Sequence, residues 1–476
     1  MNRTAPTRQL LRVRAVVDAH GVRHAPGAML LGADCTGVTT APRSAEEGEP
    51  GVGWELLAVG SIGEVEGHQA AAGATRRDLP NSLLIPGLVN AHCHLDLTEV
   101  GPRPYDPAVG FVGWLDVVRR SRPTDAEGIR RAVARGIELS LLGGTVAVGD
   151  IAGAPGGRPN LEAWRVLRES ALAGVSFLEF FGIGKGRERG REAVRLALDE
   201  AERDGARADG QMRLGLQPHA PNSVDRRLYE WAAAEATARG MPLATHLAET
   251  REERQFVAEG VGPQREFLEA LGLWDESVLE CVGRGQHPVR HLAPVLAAAR
   301  FLVAHVNDAA RREESDGGDV IEVLARTGTS VAYCPRASAY FGAPERLGPH
   351  RYLSMLAAGV NVALGTDSII NLPIEAARER GISVLDEMRL LSRRDGTDAI
   401  TLLRMATTNG ARALGLDPGE FRFRVPGRLA GLVAVDLGGE AARSAEGVLE
   451  AALRSEAPAR LIRSSGEMCD AAMPRG

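Results

Sequence analysis

From residue 87 to residue 368, short and nearly continuous apolar runs alternate with longer amphipathic stretches, eight times over. The runs are GLVNAHCH (87–94), TVAVGDIA (145–152), VSFLEFFGIG (175–184), MRLGLQPHA (212–220), MPLATHLAE (241–249), FLVAHVND (301–308), SVAYCPR (330–336) and VNVALGTDS (360–368). Successive side chains of a strand point to opposite faces, so a run apolar at every position buries both. Such runs belong to parallel sheets covered by helices. Between them lie helical patterns with start signals: Thr124-Asp125-Ala126-Glu127 and Thr250-Arg251-Glu252-Glu253 read as capping boxes, and Ser223 reads as a cap for VDRRLYEWAAAEATARG. Eight strand–helix repeats predict an α/β fold, a (β/α)8 TIM barrel over residues 86–418. A doubly wound open sheet is the rival, but it would not place polar residues at the ends of so many strands.

The two ends of the chain differ from this middle. Residues 10–85 carry short alternating segments (LLRVRAVVDAHG, GAMLLG, ELLAVGSIGEV), and 427–436 (GRLAGLVAVD) again reads as strand. The expectation is a small β-sandwich-like domain built from residues 1–85 and 419–476. TTAPRSAEEGEPGVG (39–53) is expected to be a mobile polar loop, and GAPGGRPN (153–160), GKGRERG (184–190) and RREESDGGD (311–319) to be loops. The net charge of −6 offers no basic footprint for nucleic acid. No run approaches the roughly 18 apolar residues of a membrane span. The first residues, MNRTAPTRQLLRVRAVVD, lack the uninterrupted apolar core of a signal peptide. Cys35, Cys93, Cys281, Cys334 and Cys469 are scattered and form no C-x-x-C pair, which suits a reducing cytoplasm. The partner expected is a small-molecule substrate, with homo-oligomerisation left open.

The polar residues within the runs fall at their C-terminal ends, where barrel enzymes keep their chemistry. His92 and His94 share one face of the first run, and Cys93 points the other way. The fourth run ends on His219, the fifth on His246 and Glu249, the sixth on His305 and the eighth on Asp367. Five of the eleven histidines thus sit at strand ends facing one mouth. A divalent cation wants about four donors and an open position for water. His92, His94, His246 and Asp367 meet that need. Glu249, just past the strand end, is placed to move a proton to substrate, and His305 to take one from water or orient it. His219 is placed to hydrogen-bond substrate. His287, His291 and His350 lie off the strands and read as surface or loop residues, with His350 able to approach the mouth. His20, His24 and His68 read as inert.

With these residues assembled, the chain resembles the amidohydrolase superfamily, in its mononuclear deaminase and chlorohydrolase branch. PGLVNAHCHLD, PHAP, THLAET, AHVND, YCPR, LGTDS and LLRMATTNGARALGL (402–416) occur in the expected order. The resemblance implies that His92, His94, His246 and Asp367 bind one metal ion, usually zinc and sometimes iron, and that Glu249 and His305 handle protons. Two-metal relatives bridge their ions with a carboxylated lysine on the fourth strand. The sole lysine here, Lys185, lies in a glycine-rich loop instead, so a single ion is expected. GWLDVVRRSR (113–122), GPQREFLEALGLWD (262–275), VAYCPRASAYFG (331–342) and SVLDEMRLL (383–391) are similar to deaminases of aminodeoxyfutalosine, a 6-aminopurine nucleoside of the menaquinone route. This implies hydrolytic deamination, with Trp114, Arg119, Arg122, Trp274, Arg336 and Tyr340 as pocket residues by position and Arg122 and Trp114 on substrate. The chain departs from that group at YFGA (340–343), which lacks a histidine after the glycine, and at IINLPIEAARERG (369–381), an insertion directly after Asp367. The rival activities on this scaffold are dechlorination of a triazine and opening of a cyclic amide. The rival outside enzymology is a catalytically silent ligand-binding barrel.

Overall fold

A computed structural model of the chain describes residues 8–33, 53–309, 319–439 and 442–462. The polar stretch 39–53 lies outside them except for Gly53, and 311–319 except for Asp319. All eight apolar runs are strands of one curled parallel sheet: Leu88–His94, Thr145–Ala152, Ala173–Phe180, Met212–Pro218, Leu243–Leu247, Phe301–His305, Ser330–Tyr333 and Val362–Leu364. A ninth segment, Asp367–Ser368, continues the eighth strand after two residues and pairs back onto the first. The Gly365 N–H donates to Tyr333 O (2.9 Å) and the Thr366 N–H to His92 O (3.1 Å), so those two residues lie between the seventh strand and the first. Strand order follows chain order throughout. The reversal that defines a doubly wound sheet is absent from this order.

The strands are continuous apolar runs because nothing on either face meets water. Every residue of Leu88–His94, Thr145–Ala152, Leu243–Leu247 and Phe301–His305 is buried. Helix Ala126–Leu142 shows how the outer layer is made. It buries Ile129, Ala132, Val133, Gly136, Ile137 and Ser140, a stripe at helical spacing. Asp125 caps it, accepting from the Gly128 N–H at 2.9 Å, one residue later than the Thr124 start read from the sequence. A Cβ at Gly136 would lie 2.7 Å from Thr98 Oγ1, so glycine lets this helix settle on the turn that follows His94. Helix Arg226–Arg239 is capped by Asp225, not Ser223, and Ser223 is released for another task described below.

Strands from both ends of the chain join in a second sheet, in the order Gly427–Leu429, Trp54–Gly60, Gly27–Ala33, Arg8–Val17, Thr75–Pro86, Leu432–Asp436 and Ala459–Leu461, with Arg23–His24 paired onto Arg8–Val17. The expected sandwich-like pair of layers is, among the described residues, one eight-stranded sheet curled over its own core. That core gathers Leu11, Val13, Met29, Trp54, Leu56, Leu84, Leu429, Leu432 and Ile462 from nearly every strand. The sheet bends far enough for Trp54, near one edge, to reach Ile462, just past the other, while alternate residues Leu10, Ala28, Leu30 and Ala58 form a second, smaller apolar cluster with Val65. The buried Trp54 indole N–H donates to Ile462 O at 3.1 Å. The next stretch along the same strands, Ala15, Val17, Leu83, Ile85, Val433 and Val435, packs into the core of the parallel sheet. Among the described residues no helix is long and apolar enough to cross a membrane.

Trp54→Phe tests how the two ends are joined. It removes the indole donor, leaves Ile462 O without a partner and opens a small cavity. The expected loss is roughly 1–3 kcal/mol, seen as a lower urea midpoint and melting temperature. An unchanged midpoint would show that this contact does not tie the ends together.

Candidate active site

Period two in the first strand puts His92 and His94 on the inner face at its C-terminal end, as the sequence requires. His246 ends the fifth strand and Asp367 follows the eighth. The structure brings all four together. His94 Nε2 lies 3.4 Å from Asp367 Oδ1 and 3.4 Å from His246 Nε2, and His92 Nε2 lies 3.8 Å from Asp367 Oδ1. The rings of His92 and His246 are 5.0 Å apart and perpendicular. His92, His94 and His246 each offer a ligand atom within 4.8 Å of the others, and so do His92, His305 and Asp367.

Burial sets the protonation of this group. It holds His92, His94 and His305 well below the ordinary imidazole range, helped by the neighbouring His246. Burial, then His219, brings His246 down to about 4. The imidazoles are therefore neutral, with lone pairs to give. His246 Nδ1 lies 3.0 Å from His219 O and donates to it, which leaves Nε2 as the lone-pair atom facing His94. His92 Nε2 is fully buried and has no hydrogen-bond partner. An orphaned buried acceptor costs on the order of 1–3 kcal/mol unless something takes its lone pair. Burial also lifts Asp367 to about 7, and a positive charge at that point would draw it back. Orphaned nitrogen, neutral rings and a converging carboxylate together fit a divalent cation of the zinc type.

Glu249 and His305 meet beside this cluster, with His305 Nε2 3.7 Å from Glu249 Oε1. Burial, reinforced by Asp367, Glu253 and Glu252, raises the Glu249 carboxyl well above the usual range. His219 also reaches the mouth, its ring 4.9 Å from that of His246. The hydroxyl of Ser223 lies 2.7 Å from His219 Nδ1 and fixes that ring.

The remaining candidates divide. Arg122 is buried, with Nε 3.1 Å from Asp96 Oδ2 and Nη1 3.4 Å from Glu179 Oε2, so only its other donors are left for substrate. Trp114 packs edge-on to Phe341 at 4.7 Å and near Phe111 at 5.8 Å, in an aromatic cluster with Tyr105 and Tyr340. Arg119 pairs with Asp116 on the surface, Trp274 stacks under Arg265 at 4.3 Å, and Arg336 is committed to Glu387 and Asp386. These three are not brought to the cluster. His287 and His291, expected at the surface, are buried; His287 caps the turn after it by accepting from the Val289 N–H. His350 is half-buried and does reach the site from behind. Its Nε2 donates to His305 O at 2.8 Å and its ring stacks on Tyr333 at 3.7 Å.

Sequence reasoning missed Glu179, Gln217 and Asp150. Glu179 lies with His219 and His246 in a third convergent group, and Gln217 Nε2 lies 3.3 Å from His246 Nδ1. Glu179 stands in the apolar run SFLEFF, and its inward register was the available signal. Asp150 Oδ1 accepts the Leu95 N–H at 3.0 Å and Oδ2 the Ser176 hydroxyl at 3.3 Å, bracing the turn after His94.

The chain belongs to the amidohydrolase family, whose model matches residues 83–462. It is similar to the 5-methylthioadenosine/S-adenosylhomocysteine deaminase of Natronomonas pharaonis, 30% identical over 80% of this chain and 78% of that one. It is equally similar to the aminodeoxyfutalosine deaminase of Deinococcus radiodurans, 30% identical over 74% of this chain and 80% of that one. The crystal structure of Helicobacter pylori aminofutalosine deaminase shares its fold, with a TM-score of 0.70 at 20% identity over 97% of this chain and 100% of the other.

Asp150 gives the site a measurable pH signature. Burial lifts its carboxyl from 3.8 to about 7. Between those values the folded chain keeps a proton that the unfolded chain releases. Stability therefore falls as pH rises from about 4 to about 7 and stays at the lower level above that. Asparagine keeps the acceptor for the Leu95 N–H and carries no charge. Asp150→Asn is expected to be more stable than the parent by roughly 2–4 kcal/mol near pH 8, the advantage fading toward pH 5. Thermal melts at the two pH values check this, and a pH-independent difference would contradict it.

Proposed function

We propose that this chain is a hydrolytic deaminase of 6-aminopurine nucleosides, aminodeoxyfutalosine foremost, working with one divalent cation, zinc in first place and iron in second. The observation that carries the reading is the meeting of Glu249 and His305, 3.7 Å apart, beside a four-donor group of buried, neutral imidazoles and one carboxylate. We take the curled sheet as a closed (β/α)8 barrel over residues 86–418, with residues 1–85 and 419–476 as one small domain packed on it. The sheet order, in which the first strand and the last segment pair, supports that division.

His92, His94, His246 and Asp367 would hold the cation, which when bound supplies Lewis-acid activation of a water molecule. The chain's own groups then handle the protons. His305, kept neutral by burial, takes a proton at Nε2 from the attacking water. Glu249 gives its proton to the ring nitrogen beside the amino-bearing carbon, which makes that carbon electrophilic. His305 passes the proton it took to the amino group, the hydroxyl newly bonded to carbon returns its proton to Glu249 as the carbon–nitrogen bond breaks, and ammonia leaves the oxo product. His219 and the free donors of Arg122 orient the substrate, and Trp114 offers an aromatic face at the rim. The reaction consumes one water and releases one ammonia per substrate.

An ammonia-release screen tests this directly, with aminodeoxyfutalosine, 5-methylthioadenosine, S-adenosylhomocysteine and adenosine compared with cytosine and aminotriazines. Release of chloride from a chlorotriazine, or ring opening of a cyclic amide, with no ammonia from any nucleoside would overturn it. Glu249→Gln is expected to lower kcat by roughly 10²–10⁴-fold at unchanged metal content. Chelation should abolish activity and one equivalent of zinc per chain restore it. A requirement for two equivalents would refute the single-cation site.

A further inference from the structure

The insertion that follows Asp367 begins with a tight turn, Ile369–Asn371, and continues into helix Ile374–Arg380. Ile369, Ile370, Leu372, Ala376 and Ala377 are buried, so the turn is fixed by apolar packing, and the Arg103 N–H ties it to the neighbouring loop after the first strand by donating to Ile370 O at 3.0 Å. One polar side chain in this turn faces back toward the sheet. The Asn371 amide donates from Nδ2 to Thr366 O at 3.2 Å, and its Oδ1 accepts from the Ser368 hydroxyl at 3.2 Å. Thr366 and Ser368 are the residues on either side of Asp367.

Asp367 itself has φ +58°, in the left-handed region that a residue with a Cβ rarely enters. Holding it there costs on the order of 1–3 kcal/mol and needs surrounding structure that leaves no alternative. On the strand side, Asn90 supplies part of that structure: the Thr366 N–H donates to Asn90 Oδ1 (3.0 Å) and Asn90 Nδ2 donates to Thr366 Oγ1 (2.8 Å). Two side-chain amides thus occupy the N–H, carbonyl and hydroxyl of Thr366. Only Asn371 also reaches past Asp367 to the residue on its far side.

We propose that Asn371 is a positioning residue for the Asp367 carboxylate. Its amide clasps both chain neighbours of Asp367, holds the left-handed backbone between them, and so aims the carboxylate at the point where His92, His94 and His246 converge. The inference rests on the reading of Asp367 as a cation ligand. The first turn of the insertion then has a function in cation binding beyond shaping the rim.

The test is zinc affinity by competition with a chromophoric chelator, together with the melting temperature of the zinc-free chain. Asn371→Ala is expected to weaken zinc binding by roughly 10–100-fold and to lower kcat more than it raises KM. Ile374→Ala, an exposed change in the helix that follows, should leave zinc affinity at the parent value. An Asn371→Ala chain that binds zinc as tightly as the parent overturns the proposal, whatever its melting temperature. If Asn371→Ala does not fold, Ser368→Ala removes one arm of the clasp and is read the same way, with a several-fold weaker affinity expected and an unchanged one overturning the proposal. A parent chain that takes up no zinc defeats the ligand reading of Asp367, and the clasp with it.

Discussion

Neutral imidazoles and carboxyl groups are crowded into a largely buried mouth, and the rest of the molecule is arranged around the cost of that crowding. Desolvation disfavours every charged form in the cluster, which is why burial is the largest influence on His92, His94, His246, His305, Asp367 and Glu249 alike. The same penalty acts in two directions: it favours neutral rings, which keep their lone pairs, and it favours the protonated form of the Glu249 carboxyl.

Geometry is held by a device used three times. The positive-φ residues other than glycine, among those described, are Ala248, His305, Val306 and Asp367, and all lie at or just past the ends of the fifth, sixth and eighth strands of the parallel sheet. Each of these bends is strapped by a side chain from further along the chain. The Glu253 carboxylate accepts the N–H groups of Ala248 and Glu249, both at 2.8 Å. His350 donates to His305 O. Asn371 bridges the neighbours of Asp367. A sharp turn at a strand end aims a side chain across the mouth, where a regular strand would carry it onward. The strap holds that turn while the apolar core beneath offsets its strain.

Much of the cluster was legible in the sequence because strand periodicity and strand ends are local properties. His92 and His94 share a face by alternation alone, and His246, His305 and Asp367 follow from the rule that barrel chemistry sits at C-terminal strand ends. The straps were not legible. Glu253 was recognised as part of a capping box, and Thr250 does accept from its N–H at 3.1 Å, but its carboxylate turns back to the strand end instead of to the cap. Ser223 is a good N-cap residue that Asp225 displaces. His350 and Asn371 lie in loops whose course depends on what they pack against, and no local pattern reports that. The curled end sheet was visible as strands, whereas the meeting of Trp54 with Ile462 in its larger core depends on how far the sheet bends.

The proposed cation ligands and proton-handling pair stand at the strand ends of a sheet buried on both faces. The rim comes from helix Gly110–Ser121, with Trp114, and from the segment holding Tyr340 and Phe341, which pack on one another through aromatic edges and faces. Arg122, at the end of that helix, is pinned below the rim by Asp96 and Glu179, one from the turn after the first strand and one from the third strand. The rim is thereby tied to the sheet at one charged point, while its outer face is free to vary. Relatives named for different nucleosides match this chain at the same 30% identity over the aligned residues, so overall identity does not separate those substrates.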